Sequence, residues 1–217
     1  NIYILRSTSP VPRIGDKMNR IEHKTKDGDS IVIFDDLFDY STRMLWFQAI
    51  YNSSLTFGIS YDSQLSDMKS VSGLGNHWPK YEWDNYGLDR HKNWPEVQKE
   101  LGDRQWKRTW LNVATGKELF RFHADHNLNN AKSILYYPNL KWDTDWDGQT
   151  LFKSRDGKTY EYCIDYVPGR LVVFDSAPSV FPDWVCCQVF PALSAESCGL
   201  IVRLCDALGG PIMTAPQ

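Results

Sequence analysis

The chain has 217 residues, a formal net charge of −3 at pH 7, 42 % apolar residues and 14 % aromatic residues. This length suits one domain that can bury a core, and the apolar content argues against a disordered chain. The small negative charge gives no electrostatic reason to expect nucleic acid or an anionic membrane as a partner. No run of about 18 apolar residues is present, so no membrane-spanning helix is expected.

The N-terminal half predicts two strands, two helices and a long irregular segment. Residues 1–28 are polar and are expected to form an N-terminal extension with one strand. The β-branched apolar run at 30–34 predicts a second strand. Apolar residues then recur at helical spacing, which predicts an amphipathic helix over 37–53 that covers one face of a sheet. Residues 55–97 are rich in Gly, Trp, Asn and Asp and predict a long irregular segment, with a short helix at 95–101.

The C-terminal half reads as a series of strands. Six apolar segments separated by turn signals predict strands at 109–113, 118–123, 133–137, 150–152, 159–164 and 170–174. Short strands at this spacing are typical of an antiparallel β-sandwich or barrel. We therefore expect residues 29–217 to form a single, mainly β domain with flanking helices, in which residues 178–217 are an atypical tail.

The five cysteines all lie in the last quarter of the chain. An odd number gathered in one region does not resemble a disulfide framework. This distribution favours a reducing, cytoplasmic compartment.

The segment Phe122-His123-Ala124-Asp125-His126 carries the strongest chemical signal. Alternate side chains of a strand share a face, so His123 and Asp125 can converge on one metal ion. Such a pair, together with a distant second histidine, forms the facial triad that binds non-haem Fe(II) and leaves positions open for substrate and O2. A His-x-Asp pair also occurs as surface polar residues or as a structural hydrogen bond.

The order of segments over residues 30–177, and most specifically over 108–177, resembles the Fe(II)/2-oxoglutarate dioxygenases, closest to the prolyl 4-hydroxylase-like branch. Besides the His-x-Asp pair, the resemblance rests on Tyr136-Tyr137-Pro138-Asn139, Trp146 to Phe152 and Pro168 to Phe174. It implies a double-stranded β-helix, the jelly-roll or cupin-like fold. It also implies an enzyme that uses O2 to hydroxylate a C–H bond of a peptide or small molecule, with decarboxylation of 2-oxoglutarate to succinate. The implied cofactors are Fe(II), 2-oxoglutarate as co-substrate, and ascorbate as a further candidate.

The resemblance assigns roles to single residues. His123 and Asp125 match the first two iron ligands. Tyr137 matches a tyrosine that hydrogen-bonds the 2-oxoglutarate carboxylate, and it equally fits a buried aromatic residue with a satisfied hydroxyl. That carboxylate also needs a cation, because a buried unpaired carboxylate is costly.

The tail departs from the family pattern. The family has a histidine soon after the segment that ends at Ser176 and a basic residue about one strand later. In this chain no histidine follows residue 126, and the only basic residue of the tail is Arg203. Arg203 is therefore the tail's candidate for the 2-oxoglutarate carboxylate. Arg121 and Lys132 lie near the His-x-Asp motif, and all three basic residues also fit solvated surface charges.

The missing third ligand leaves several alternatives open. The candidate replacements are His126, Asp183, Cys186 and Cys187. The joint loss of the histidine and the basic residue suggests a frameshifted or spliced ending, which is the basis of an alternative function: an inactive relative that acts as a binding module. The many Trp residues also fit a carbohydrate-binding β-sandwich, but that interpretation does not explain the ordered resemblance over 108–177.

Overall fold

The computed structural model describes residues 18–52, 56–57, 74–78, 88–114, 131–143, 146, 148–154, 156–175, 186–189 and 199–208. Over these residues the chain forms eleven strands and two α-helices. In chain order they are β1 (Asn19–Lys24), β2 (Ser30–Asp35), α1 (Tyr40–Tyr51), β3 (Thr56–Phe57), β4 (Leu74–Trp78), α2 (Trp94–Leu101), β5 (Gln105–Ala114), β6 (Lys132–Tyr136), β7 (Gln149–Lys153), β8 (Tyr160–Ile164), β9 (Leu171–Asp175), β10 (Cys186–Val189) and β11 (Gly199–Leu208). The larger sheet has the order β1-β2-β9-β6-β11-β5-β4-β3, and the smaller sheet has the order β10-β7-β8.

Strands β2, β9 and β6 are neighbours in the larger sheet and are buried on both faces. Because successive side chains of a strand point to opposite faces, their residues divide into two sets. The outer core packs against the helices and contains Val32, Phe34, Ile134, Tyr136, Leu171 and Val173 with Trp46, Ile50, Trp94, Val97 and Leu101. The inner core faces the smaller sheet and contains Ile31, Ile33, Leu135, Tyr137, Val172 and Phe174 with Phe152, Ile164 and Tyr166. The predicted β-rich fold with flanking helices is confirmed.

Helix α1 begins at Tyr40 rather than at residue 37, because Asp39 caps it. Asp39 has extended backbone angles, and its carboxylate accepts a hydrogen bond of 2.9 Å from the Thr42 amide. The helix buries one stripe, Arg43, Trp46 and Ile50, while Leu45 is 65 % exposed. The predicted packing of this helix on a sheet is thereby confirmed.

The N-terminal cap of α1 gives a testable pH dependence. Hydrogen bonds from the Ser41 hydroxyl and the Thr42 amide hold the pKa of Asp39 below its ordinary value. Since the folded-state pKa is the lower one, the contribution of Asp39 to stability is fully present above about pH 4 and is lost as the pH falls towards the folded-state pKa. We expect Asp39→Ala to lower the free energy of unfolding by about 1 kcal/mol near neutral pH and by less near about pH 3.

Urea unfolding at both pH values measures this difference. Asp39→Asn is the matched control, because asparagine caps a helix comparably without titrating. It should retain most of the stability near neutral pH. An Asp39→Ala variant that loses equal stability at both pH values would contradict the expectation.

Strand formation extends beyond the sequence prediction. Strands β3 and β4 lie within 55–97, so the prediction of an irregular segment there is wrong for these residues. Two strands, β10 and β11, lie in the tail, for which no strand was predicted. The apolar run of β11 lacks a clear alternation, and the strand pairs on both sides, with β5 and β6. Helix α2 confirms the short helix predicted at 95–101. Of the predicted strands, 118–123 lies outside the described residues.

Contacts of β1 and the turn after it with β8 connect the two sheets at one side of the inner core. The His23 ring stacks on the Tyr162 ring at a centroid distance of 4.1 Å. Next to it, Lys26 Nζ lies 3.2 Å from a Glu161 carboxylate oxygen, and the Lys26 amide donates to the same side chain. These contacts join the edge of the larger sheet to the edge of the smaller one. In the described part of the chain, no helix is long and apolar enough to cross a membrane.

Candidate active site

Tyr137 lies in the inner core, directly after β6, and its backbone is fixed on both sides. Its amide donates to the Arg170 carbonyl oxygen at 3.0 Å, and the Gly169 amide donates to the Tyr137 carbonyl oxygen at 2.7 Å. These bonds continue the pairing of β6 with β9 by one residue. The Tyr137 side chain is fully buried between the two sheets.

The Tyr137 hydroxyl forms a hydrogen bond of 2.6 Å with Thr150 Oγ1, and either oxygen can be the donor. Thr150 lies on β7 in the smaller sheet and is fully buried. The mutual bond uses one of the two hydroxyl protons. Hydroxyl groups bind carboxylate oxygens by donating a hydrogen bond, so a buried pair of this kind has the chemistry that such a ligand requires.

Thr150 was not identified from the sequence as a site residue. The alternating burial of β7 places it on the same face as Phe152, which belongs to the inner core. The sequence of 149–153 does not alternate between apolar and polar residues, because Leu151 and Phe152 are adjacent. It therefore carried no local signal that Thr150 faces inwards or that it lies opposite Tyr137.

Aromatic residues support the Tyr137 ring from one side. The Tyr166 ring lies edge-on to it with a centroid distance of 4.7 Å. Trp142 stacks on Tyr166 at 4.0 Å, and the Tyr166 hydroxyl donates to Asn139 Oδ1. The ring of Tyr137 is thereby held in one orientation, with its hydroxyl at Thr150.

Arg203 lies on β11, whose backbone runs beside β6. The register pairs Arg203 with Leu135 and Val202 with Tyr136. Continuing this register by one residue makes position 203 a diagonal neighbour of position 137, at a typical distance of about 7–8 Å. The fold thus brings the backbone of Arg203 near Tyr137, on the face of the sheet that carries Leu135.

Other basic residues near the site are engaged in ion pairs. Lys132 Nζ lies 3.0 Å from a carboxylate oxygen of Asp175, so the expectation of a solvated surface charge is wrong for Lys132. Arg170 binds Asp35 through two nitrogens, at 2.7 and 2.9 Å. Both side chains already have a carboxylate partner. Arg121 lies outside the described residues.

The candidate metal ligands are described only in part. The residues His123, Asp125, His126 and Asp183 lie outside the described residues. The backbone of β10 pairs Cys186 with Phe152 and Cys187 with Leu151. Because Phe152 belongs to the inner core, position 186 lies on the inner face of the smaller sheet and position 187 on the other face. Within the described ranges, no group of three or more His, Cys, Asp or Glu could hold a metal ion.

Comparison with known proteins finds solved structures with a similar fold. No family model and no curated protein matches the sequence. A Pseudomonas putida prolyl-4-hydroxylase structure is similar, with a TM-score of 0.57 and 17 % identity over 83 % of this chain and 93 % of that one. A second similar structure is a Trichoplax adhaerens prolyl hydroxylase in complex with a hypoxia inducible factor oxygen degradation domain peptide fragment. Its TM-score is 0.59 with 16 % identity, over 82 % of this chain and 83 % of that one.

A third similar structure is a 2OG-Fe(II) oxygenase family oxidoreductase from Burkholderia pseudomallei. Its TM-score is 0.55 with 12 % identity, over 82 % of this chain and 84 % of that one. At these identities the likeness concerns the fold. The chain thus has the fold of the 2OG-Fe(II) oxygenases, including the prolyl-4-hydroxylases, and the resemblance inferred from the sequence is confirmed at this level.

Proposed function

We propose that this protein is an Fe(II)- and 2-oxoglutarate-dependent dioxygenase built on a double-stranded β-helix. It would hydroxylate a C–H bond of a peptide or small molecule, consuming O2 and converting 2-oxoglutarate to succinate and CO2. The buried Tyr137–Thr150 hydroxyl pair carries this proposal, because it lies between the two sheets of a 2OG oxygenase fold. The peptide bound to the Trichoplax adhaerens protein supports a peptide as the substrate.

His123 and Asp125 are proposed to hold the metal. An imidazole and a carboxylate suit Fe(II), which supplies the activation of O2 when it is bound. A third ligand is needed, and the inner-face position of Cys186 makes it a better candidate than Cys187. A thiolate ligand would alter the redox chemistry of the metal.

The far carboxylate of 2-oxoglutarate is proposed to bind to the Tyr137–Thr150 pair and to Arg203. One hydroxyl of the pair donates to a carboxylate oxygen, while the other holds the first in place. The guanidinium of Arg203 would balance the negative charge, since a buried carboxylate needs a charged or hydrogen-bonding partner. The register of β11 with β6 supports this role for Arg203.

Succinate formation tests the activity. With Fe(II), 2-oxoglutarate and O2, we expect the chain to release succinate, and His123→Ala and Asp125→Ala to abolish it, because each removes a metal ligand. Cys186→Ala should lower activity far more than Cys187→Ala, which serves as its matched control. Succinate that persists in both the His123 and the Asp125 variant would overturn the metal assignment.

The co-substrate site has its own signature. Tyr137→Phe and Thr150→Val should each raise the KM for 2-oxoglutarate about tenfold with a smaller change in kcat, since each disturbs one hydrogen bond to a charged group. Tyr162→Phe is the control, because Tyr162 contacts His23 at the sheet edge. An unchanged KM in both site variants, with normal folding, would contradict this assignment.

The alternative is a non-catalytic relative that acts as a binding module. The absence of any histidine after residue 126 favours it, because two protein ligands hold a metal weakly. No succinate, together with no metal-dependent rise in Tm, would support this alternative. The frameshifted or spliced ending stays a prediction for the gene and transcript sequences to test. Strand β10 nevertheless belongs to the smaller sheet and β11 to the larger one, so the tail is part of the fold.

A further inference from the structure

Arg43 is a buried cation on the helix-covered side of the larger sheet, opposite to the side on which the Tyr137 side chain lies. Arg43 is only 5 % exposed, and its side chain lies against the turn at Gly169. A Cβ atom added to Gly169 would lie 2.5 Å from Arg43 Nε, so the guanidinium rests directly on this turn. Arg43 Nε is buried and has no hydrogen-bond acceptor in the described part of the chain.

A second buried donor, the Tyr136 hydroxyl, lies on the same side of the sheet, because its ring contacts Trp46, which follows Arg43 by three residues on the buried stripe of α1. Tyr136 is fully buried in the outer core, and the described residues provide no hydrogen-bond partner for its hydroxyl. Phe38 and Trp46 pack edge-on against its ring, at centroid distances of 5.6 and 6.0 Å. Burial raises the pKa of Tyr136, and the positive charge of Arg43 opposes this rise. The hydroxyl is therefore protonated at physiological pH and has a proton to donate.

These two groups are short of acceptors. A guanidinium has five N–H donors and no acceptor, while a phenol has one proton to donate. If the Tyr136 oxygen accepted from Arg43, its own proton would still need an acceptor. Burying a positive charge is costly unless an opposite charge accompanies it. A neutral water molecule could accept hydrogen bonds here, but it would not balance the charge.

We propose that a small monovalent anion of the chloride class binds between helix α1 and the larger sheet, where it accepts hydrogen bonds from Arg43 Nε and the Tyr136 hydroxyl. Such an ion supplies the acceptor that the described residues do not provide, together with a negative charge beside the buried guanidinium. Its site is separate from the candidate active site, because Tyr136 and Tyr137 face opposite sides of the sheet. The inference does not depend on the proposed activity.

Thermal unfolding of the full chain in sodium chloride and in sodium gluconate, at equal ionic strength, tests the site. Gluconate is too large to enter a buried site of this kind. Chloride should raise Tm saturably above its value in gluconate, by about 4 °C at a concentration about tenfold above the dissociation constant. Tyr136→Phe preserves the ring packing and should abolish most of this increment. Tyr162→Phe removes a hydroxyl from the ring that stacks on His23 at the sheet edge, and this variant should retain the increment.

Chloride NMR line broadening gives a direct second readout. The parent chain should broaden the chloride NMR line, and loss of this broadening in Tyr136→Phe would support the site. A chloride increment of equal size in the parent and in Tyr136→Phe would place the ion elsewhere and overturn the proposal. It would also be overturned if chloride had no specific effect. In that case a lower Tm of Tyr136→Phe in both salts would indicate an acceptor within the chain, and a higher Tm would indicate a hydroxyl buried without an acceptor.

Discussion

Trp46→Ala is expected to lower the free energy of unfolding by about 3–5 kcal/mol, the usual cost of removing a large aromatic side chain from a core. Trp46 is 1 % exposed, and it is among the largest fully buried side chains of the described residues. It joins helix α1 to the sheet through its edge-on contact with Tyr136. Its removal opens a cavity between the two layers that neither layer can close. Urea unfolding followed by circular dichroism measures the loss without relying on tryptophan fluorescence.

Leu45→Ala is the matched control on the same helix. Leu45 is the neighbouring residue but is 65 % exposed, and alanine is at least as good a helix former. We expect a change of less than about 0.5 kcal/mol in either direction. Equal losses in the Trp46 and Leu45 variants would contradict the orientation of α1 on the sheet.

Gly169→Ala is expected to lower the free energy of unfolding by about 2–5 kcal/mol. Gly169 has φ +83°, and an alanine in this left-handed region costs about 1–2 kcal/mol. The added methyl group would also lie 2.5 and 2.7 Å from Arg43 Nε and Cζ. Because Arg43 is buried, its side chain has to shift within the packed core, and such overpacking costs about 1–3 kcal/mol more.

Gly28→Ala separates these two causes. Gly28 has a similar φ of +87°, but nothing lies within 4 Å of an added Cβ atom. It should lose only the backbone contribution, about 1–2 kcal/mol. Truncating Arg43 to Ala in the Gly169→Ala background should then recover part of the loss, which a double-mutant cycle measures. A cycle without coupling would contradict the contact between Arg43 and the turn.

The central strands could be predicted from sequence because their signal is local. Strands β2, β6 and β9 are short apolar runs bounded by turn residues, and each lies within one or two residues of its predicted position. Helix α2 begins at Trp94 with proline next in the sequence, a local signal as well. The strands of the tail could not be predicted in this way. Strand β11 lies between β5 and β6 and pairs with both, so it depends on two strands that are distant in sequence.

The residues of the candidate site likewise fall into those that short sequence motifs identify and those that only tertiary contacts identify. The His123–Asp125 pair and Tyr137 were identified from short motifs, since their chemistry depends on spacing within one strand or on one segment. Thr150 was missed because its role arises from a contact across the core with a residue of another sheet. The position of Arg203 beside Tyr137 follows from the register of two strands that are distant in sequence.

The sequence by itself determined the β-rich class, the central strands, the helix that covers them and the resemblance to the 2-oxoglutarate dioxygenases. Each of these follows from patterns within a few residues, because side-chain periodicity depends only on local backbone geometry. The tertiary structure decided the strand order, the Tyr137–Thr150 pair, and the burial of Arg43 against Gly169 beside Tyr136. These features join residues that are far apart in the chain, and only long-range packing brings such residues together.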